Sequence, residues 1–182
     1  MKKVYLLIIQ LLIAASLSAQ AYTINYFPST YDSLVSYNSL SLELAFAGDD
    51  PFSWEHPFEF GFDFPFFGQV YDSVFFDGDG VGYFPGSPDF NLRLFEGWYT
   101  IDEPRDSFFL PSDIRYTTTE INGDSALIIE FHNVYHRPEF EENGKNHIIN
   151  FQVWFYENGT IEIHFGEIDL GDCSYYFAGQ GF

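Results

Sequence analysis

Three sets of residues have the types and spacing that chemistry requires. In the run Glu167-Ile168-Asp169-Leu170-Gly171-Asp172, alternate strand positions can aim Glu167 and Asp169 into one cleft. Retaining glycoside hydrolysis needs two carboxyls about 5 to 5.5 Å apart, so the run invites comparison with a jelly-roll glycoside hydrolase. Gly171 interrupts the strand and the last acid is Asp172 rather than Glu, so the run reads better as an acidic strand end entering a loop. Asp77 and Asp79, with Asp72 nearby, offer carboxylate oxygens to a calcium ion, which takes six to eight such ligands. Asp77-Gly78-Asp79-Gly80 is also a good turn in its own right, so the cofactor expectation is none, or weakly bound Ca2+. His132, His136, His147 and His164 lack the tight spacing of a zinc site. Neither a Gly-x-Ser-x-Gly elbow, a phosphate loop nor a dinucleotide fingerprint occurs. The reading is therefore not an enzyme. The third set is aromatic: Trp98 and Tyr99 in a loop, and Trp154 and Tyr156 on a strand face, are flat rings able to stack on a glycan or anchor an extracellular protein.

The elements that must position these residues follow from periodicity. From Phe58 to Phe66 every second residue is Phe, which puts five rings on one face of a strand and Glu59, Gly61, Asp63 and Pro65 on the other. Pro65 limits this strand to an edge or ends it. Gly68-Gln69 then turns the chain into Val70 to Phe76, and Asp77 to Gly80 turns it again into Val81 to Phe84, giving a meander with an aromatic core. Leu40, Leu42 and Leu44 alternate with polar residues and mark an earlier strand, after a polar stretch from Pro28 to Ser39 that suits a loop or irregular edge. Pro85 to Pro111 is rich in Pro, Gly and aromatics. It is expected to be a long loop packed on the sandwich, with one short strand near Trp98 to Ile101.

Two later hairpins can be registered residue by residue. Asn122-Gly123 is the preferred pair for a two-residue type I′ turn. It sets Ile114, Tyr116 and Thr118 beside Phe131, Ile129 and Leu127, and Arg115 opposite Glu130 as a cross-strand charge pair worth about 0.2 to 1 kcal/mol. At the last hairpin a two-residue turn would put Phe155 opposite Glu162 and mix the faces. A three-residue loop, Glu157 to Gly159, with Gly159 left-handed, instead pairs Phe151, Val153 and Phe155 with Phe165, Ile163 and Ile161 as a core face. Gln152, Trp154, Tyr156, Thr160, Glu162 and His164 then form an aromatic and polar strip on the other face. The whole reads as an all-β fold, an antiparallel β-sandwich, jelly-roll-like, with a long aromatic loop.

Met1-Lys2-Lys3 followed by an apolar run to Leu17 and by Ala19-Gln20-Ala21 has the form of a secretory signal peptide, residues 1–21. Residues 22–182 then make a single β-sandwich domain, with no transmembrane span, in a secreted or cell-surface protein. Formal charge is −20 for the whole chain and −22 once Lys2 and Lys3 leave, with 5 basic residues facing 27 acidic ones. A phosphate backbone would be repelled, which excludes nucleic acid as a partner. Cys173, the single cysteine, has no internal partner and reads as a small buried hydrophobe.

The run ending in Phe62-Asp63-Phe64-Pro65-Phe66-Phe67-Gly68, then Tyr71-x-Ser73-Val74 and a Gly-closed turn into another aromatic strand, resembles a β-sandwich module of secreted and cell-surface proteins of Bacteroidetes. More distantly it is similar to nidogen-like extracellular domains. Residues 146–166 resemble the later hairpin of that family, and the likeness covers residues 37–182; the turn that is Asn-Gly in the family is Asp79-Gly80 here. The resemblance implies location and fold: an exported, non-catalytic interaction or adhesion-type module whose partner is an extracellular protein or a glycan. A carbohydrate-binding module is the first alternative and the jelly-roll glycoside hydrolase the second.

Overall fold

The computed structural model describes residues 23, 25, 27–28, 30–41, 56–76, 81–86, 91–93, 99–102, 112–138 and 147–169. These form ten strands in two antiparallel sheets. The strands are β1 (Asn38–Ser41), β2 (Phe58–Phe66), β3 (Gln69–Phe76), β4 (Val81–Tyr83), β5 (Asn91–Arg93), β6 (Tyr99–Asp102), β7 (Asp113–Ile121), β8 (Asp124–Pro138), β9 (His147–Tyr156) and β10 (Ile161–Asp169). One sheet runs β2-β3-β4-β5, and the other β1-β7-β8-β9-β10 with β6 also on β8. The β-sandwich expected from the pattern is the fold, and β6 is the short strand foreseen near Trp98. β5 was not foreseen.

Both hairpin registers are as the turn chemistry requires. Ile114 lies opposite Phe131 and Arg115 opposite Glu130, across a turn in which Asn122 and Gly123 both have positive φ, 54° and 95°, as a type I′ turn demands. Phe155 lies opposite Ile161 and Val153 opposite Ile163, with Gly159 left-handed at φ 85°. At the first hairpin the turn sits one residue earlier than expected. Phe66 pairs with Gln69, so Phe67-Gly68 is the turn, and Phe67 takes φ 46°, a left-handed conformation that costs a bulky side chain about 1 to 2 kcal/mol.

The core lies between the sheets. Phe58, Phe60, Phe64, Phe66, Val74, Phe76 and Phe84 face Ile114, Leu127, Ile129, Phe131, Phe151, Val153 and Phe155. Phe62, the fifth ring of the alternation, is only half-buried, because Gly61 at φ 75° breaks the period and the β2-β3 register shifts between Glu59 and Phe64. Pro65 is in an edge strand, as its missing N–H requires. The core face expected on β10 is a correction: Ile163 is 36% and Phe165 50% exposed. β10 is the margin of its sheet, and β2 of the opposite sheet lies across β7, β8 and β9, so the rings of β10 overhang.

Asn150, in β9, sits between two bulges. β8 carries an extra residue between Phe131 and Val134, and β10 carries one between Phe165 and Ile168, both opposite Asn150. Its buried side chain repairs both ladders. Oδ1 accepts the Asn133 N–H at 2.8 Å, where Asn133 is left-handed, and Nδ2 donates to the Glu167 carbonyl at 3.4 Å. Asn150→Ala is expected to cost about 2 kcal/mol, chiefly by leaving the buried Asn133 N–H without an acceptor. An unfolding free energy from urea curves unchanged within about 0.5 kcal/mol would show that the bulges stand without it.

Candidate functional site

The outer face of the six-stranded sheet holds the polar chemistry. Along β9, Gln152, Trp154 and Tyr156 point outward beside Glu130 and Ile128 of β8 and Glu162 and His164 of β10. The aromatic and polar strip is largely covered: Gln152, Tyr156 and His164 are buried, Trp154 is half-buried, and only Thr160 is exposed. The cover among the described residues comes from Phe27 and from Tyr31 to Leu34, which make a partial third layer.

Glu130 anchors that layer. Its fully buried carboxylate accepts from the Tyr31 hydroxyl at 2.7 Å and the Leu34 N–H at 3.3 Å through Oε1, and also from Gln152 Nε2 at 3.0 Å. Oε2 pairs with Arg115 at 3.4 Å. Arg115 also holds Asp113 at 2.9 Å and lies under the Tyr37 ring, while Asp113 takes Ser39 Oγ and His132 Nδ1 on its two oxygens. The Arg115–Glu130 pair is thus on the face predicted, but it is buried inside a network rather than a surface pair of small worth. Gln152 Nε2 donates further to the Asp32 carbonyl at 2.9 Å, and Gln152 Oε1 accepts from Trp154 Nε1 at 2.8 Å.

Beyond Trp154 a second cluster begins. The His164 ring stacks on the indole at 4.3 Å between centroids, and Phe27 meets it edge-on at 6.4 Å. Glu162 Oε2 accepts from His164 Nε2 at 2.9 Å and from the Tyr156 hydroxyl at 3.0 Å. With Nε2–H directed at a carboxylate, Nδ1 of the neutral ring is an acceptor, and it is buried without a hydrogen-bond partner among the described residues.

Burial pushes the Tyr31 phenol well above its usual range; a hydrogen bond with Ser33 opposes this, and the neighbouring Glu130 carboxylate adds to it. A folded-state pKa raised above the unfolded value stabilises the docked segment below about pH 10 and withdraws that stability above it. Tyr156 is raised in the same way, by burial and then by Glu162. Alkaline loss of stability is therefore expected, and Tyr31→Phe should diminish its slope while Tyr156 keeps the remainder. Identical slopes for the two proteins between pH 9 and 11 would remove Tyr31 from the account.

Of the residues singled out from sequence, Trp154 and Tyr156 come together, with centroids 6.2 Å apart. Tyr99 is placed by its backbone in β6, opposite Pro138. Trp98, Asp77, Asp79, Asp172 and Cys173 lie outside the described residues. Glu167 is exposed within the β10 bulge, and Asp169 is paired with Ile148. Among the described residues no three His, Cys, Asp or Glu side chains are grouped to hold a metal, and no helix is long and apolar enough to cross a membrane. Glu130, Gln152 and Tyr31 were not foreseen as a group. A family model described as NIDO related matches residues 21–175, starting before the stretch whose likeness was legible. No curated protein and no solved structure gives a match.

Proposed function

We propose, because the chain belongs to the NIDO-related family, that it is a non-catalytic extracellular interaction module whose contact face centres on Trp154, Tyr156, Glu162 and His164. The nidogen-like family fits an extracellular placement. The observation that carries the face is Nδ1 of His164, buried and without a hydrogen-bond partner among the described residues, beside a half-buried indole. An unpaired buried acceptor costs free energy that a donor recovers once the exposed Phe27 ring beside it swings aside, and the adjoining indole supplies the area on which a flat partner group stacks. A glycan hydroxyl and a protein N–H both qualify. Glycan reading is favoured where rings and a carboxylate adjoin, and protein reading where rings anchor a larger contact.

Residues 22–182, applied to a glycan array and to a panel of purified extracellular proteins, are expected to bind one class. Trp154→Ala should weaken that binding at least tenfold with circular dichroism unchanged. Full binding by the folded variant would move the contact elsewhere, and a glycan or protein hit decides between the two partner classes.

A further inference from the structure

The way Tyr31 to Leu34 is held describes a receptor for a peptide. The sheet spends its groups on features that any extended segment carries. Glu130 Oε1 takes the Leu34 main-chain N–H, and Gln152 Nε2 donates to the Asp32 main-chain carbonyl. One side chain is read in full. The Tyr31 ring lies on Gly166, where an added Cβ would stand 2.7 to 2.9 Å from three ring carbons, and its hydroxyl reaches Glu130. Gly166 is not among the glycines with positive φ, so glycine is needed there for the space it leaves. Asp32, Ser33, Val35 and Ser36 are exposed, so the slot does not select their side chains, and Tyr37 and Ser39 lie beyond it, on Arg115 and Asp113.

We propose that Glu130, Gln152 and Gly166 form a slot for an extended peptide of an extracellular partner, and that Tyr31 to Leu34 occupy it in cis as a tethered competitor. The partner segment offers a Tyr, a main-chain carbonyl on the next residue and a main-chain N–H three residues after the Tyr. A short flexible tether presents its own segment at an effective concentration of about a millimolar, so a free peptide competes only when the tethered one is weakened or the partner binds more tightly. Apparent affinity then scales with the fraction of open slots. The inference rests on the reading of the protein as an interaction module but not on the Trp154 contact, and the two have separate readouts.

The test uses residues 22–182 and a synthetic peptide of residues 28–37, with the Trp154 indole N–H resonance as reporter, since that group bonds to Gln152. Tyr31→Ala should shift the resonance, and peptide up to about 1 mM should restore the original position. Peptide with Ala in place of Tyr should not restore it. The double variant Tyr31→Ala/Gly166→Ala, whose bed for the ring is filled, should not respond to either peptide. Failure of the Tyr peptide to restore the shift, or equal restoration by the Ala peptide, overturns the slot. Should Tyr31→Ala not fold, the unmodified chain decides: several millimolar Tyr peptide should hasten exchange of the Leu34 amide hydrogen at least threefold, and no change overturns the proposal. A dimer of the unmodified chain at micromolar concentration, built by exchanged segments, would overturn the cis assignment.

Discussion

Phe155→Ala is expected to lower the unfolding free energy by about 3 to 5 kcal/mol, the range for removing a fully buried Phe. Its ring is the point where the two sheets meet. It packs edge-on against Phe60 and Phe64, each at 5.5 Å between centroids, and also faces Phe76 and Phe84 at 6.3 and 6.5 Å. Four neighbouring rings from three different segments cannot all move into the vacated space, so much of the cavity stays open and its full cost is felt. Domains of this kind have about 5 to 15 kcal/mol in total, so the variant retains a folded population only if the rest of the core is strong. Phe165→Ala is the matched control. It removes the same ring from the same nominal face of the hairpin, yet half of that ring already faces water, so its loss should be near 1 kcal/mol. Urea curves giving similar costs for the two would mean that β10 is covered as the alternation alone implies and that the overhang is wrong.

That contrast marks how far the residue pattern could be read. The period of two, together with the glycine and asparagine of the turns, determined which residues stand opposite one another, because a slip of one residue would have turned every side chain to the other face. Ile114, Phe131, Val153 and Phe155 could be placed in this way. Alternation tells which face a residue takes, but not how far the opposite layer extends, so Ile163 and Phe165 looked the same as Phe151 and Val153. What covers the outer face was hidden for a related reason. Its cover comes from about a hundred residues earlier in the chain, where Tyr31 to Leu34 has no periodicity and a polar composition. A signal was nevertheless present in β8, where Ala126 to Ile129 is apolar without alternation. Such a run is the mark of a strand buried on both sides, and Ala126 and Ile128 are indeed buried on the outer side. Glu130, two residues on along that same side, then had to be buried too, and a buried carboxylate requires partners from somewhere.

Those partners make Glu130→Ala the second large expected effect, at about 3 kcal/mol. The substitution withdraws the acceptor from the Tyr31 hydroxyl, the Leu34 N–H and Gln152 Nε2, and it leaves Arg115 without its buried carboxylate. Breaking a buried pair from one side costs about 3 to 5 kcal/mol. The low end applies because Arg115 keeps Asp113 at 2.9 Å and remains 15% exposed, so water and a second carboxylate soften its loss. Glu130→Gln separates charge from shape. Its amide oxygen can still accept from Tyr31, Leu34 and Gln152, while its amide hydrogens face Arg115, so about 1 to 2 kcal/mol is expected from the lost charge-assisted bonds. The loss should also be uneven in space. The core side of β8 keeps its packing, whereas Tyr31 to Leu34 lose their anchor, so the Leu34 amide should exchange its hydrogen at a rate approaching that of an unprotected amide while Ile129 stays protected. Equal costs for the Ala and Gln variants would assign the effect to the lost charge alone, and an unchanged Leu34 rate in a folded Glu130→Ala protein would mean that the segment is held by something other than this carboxylate.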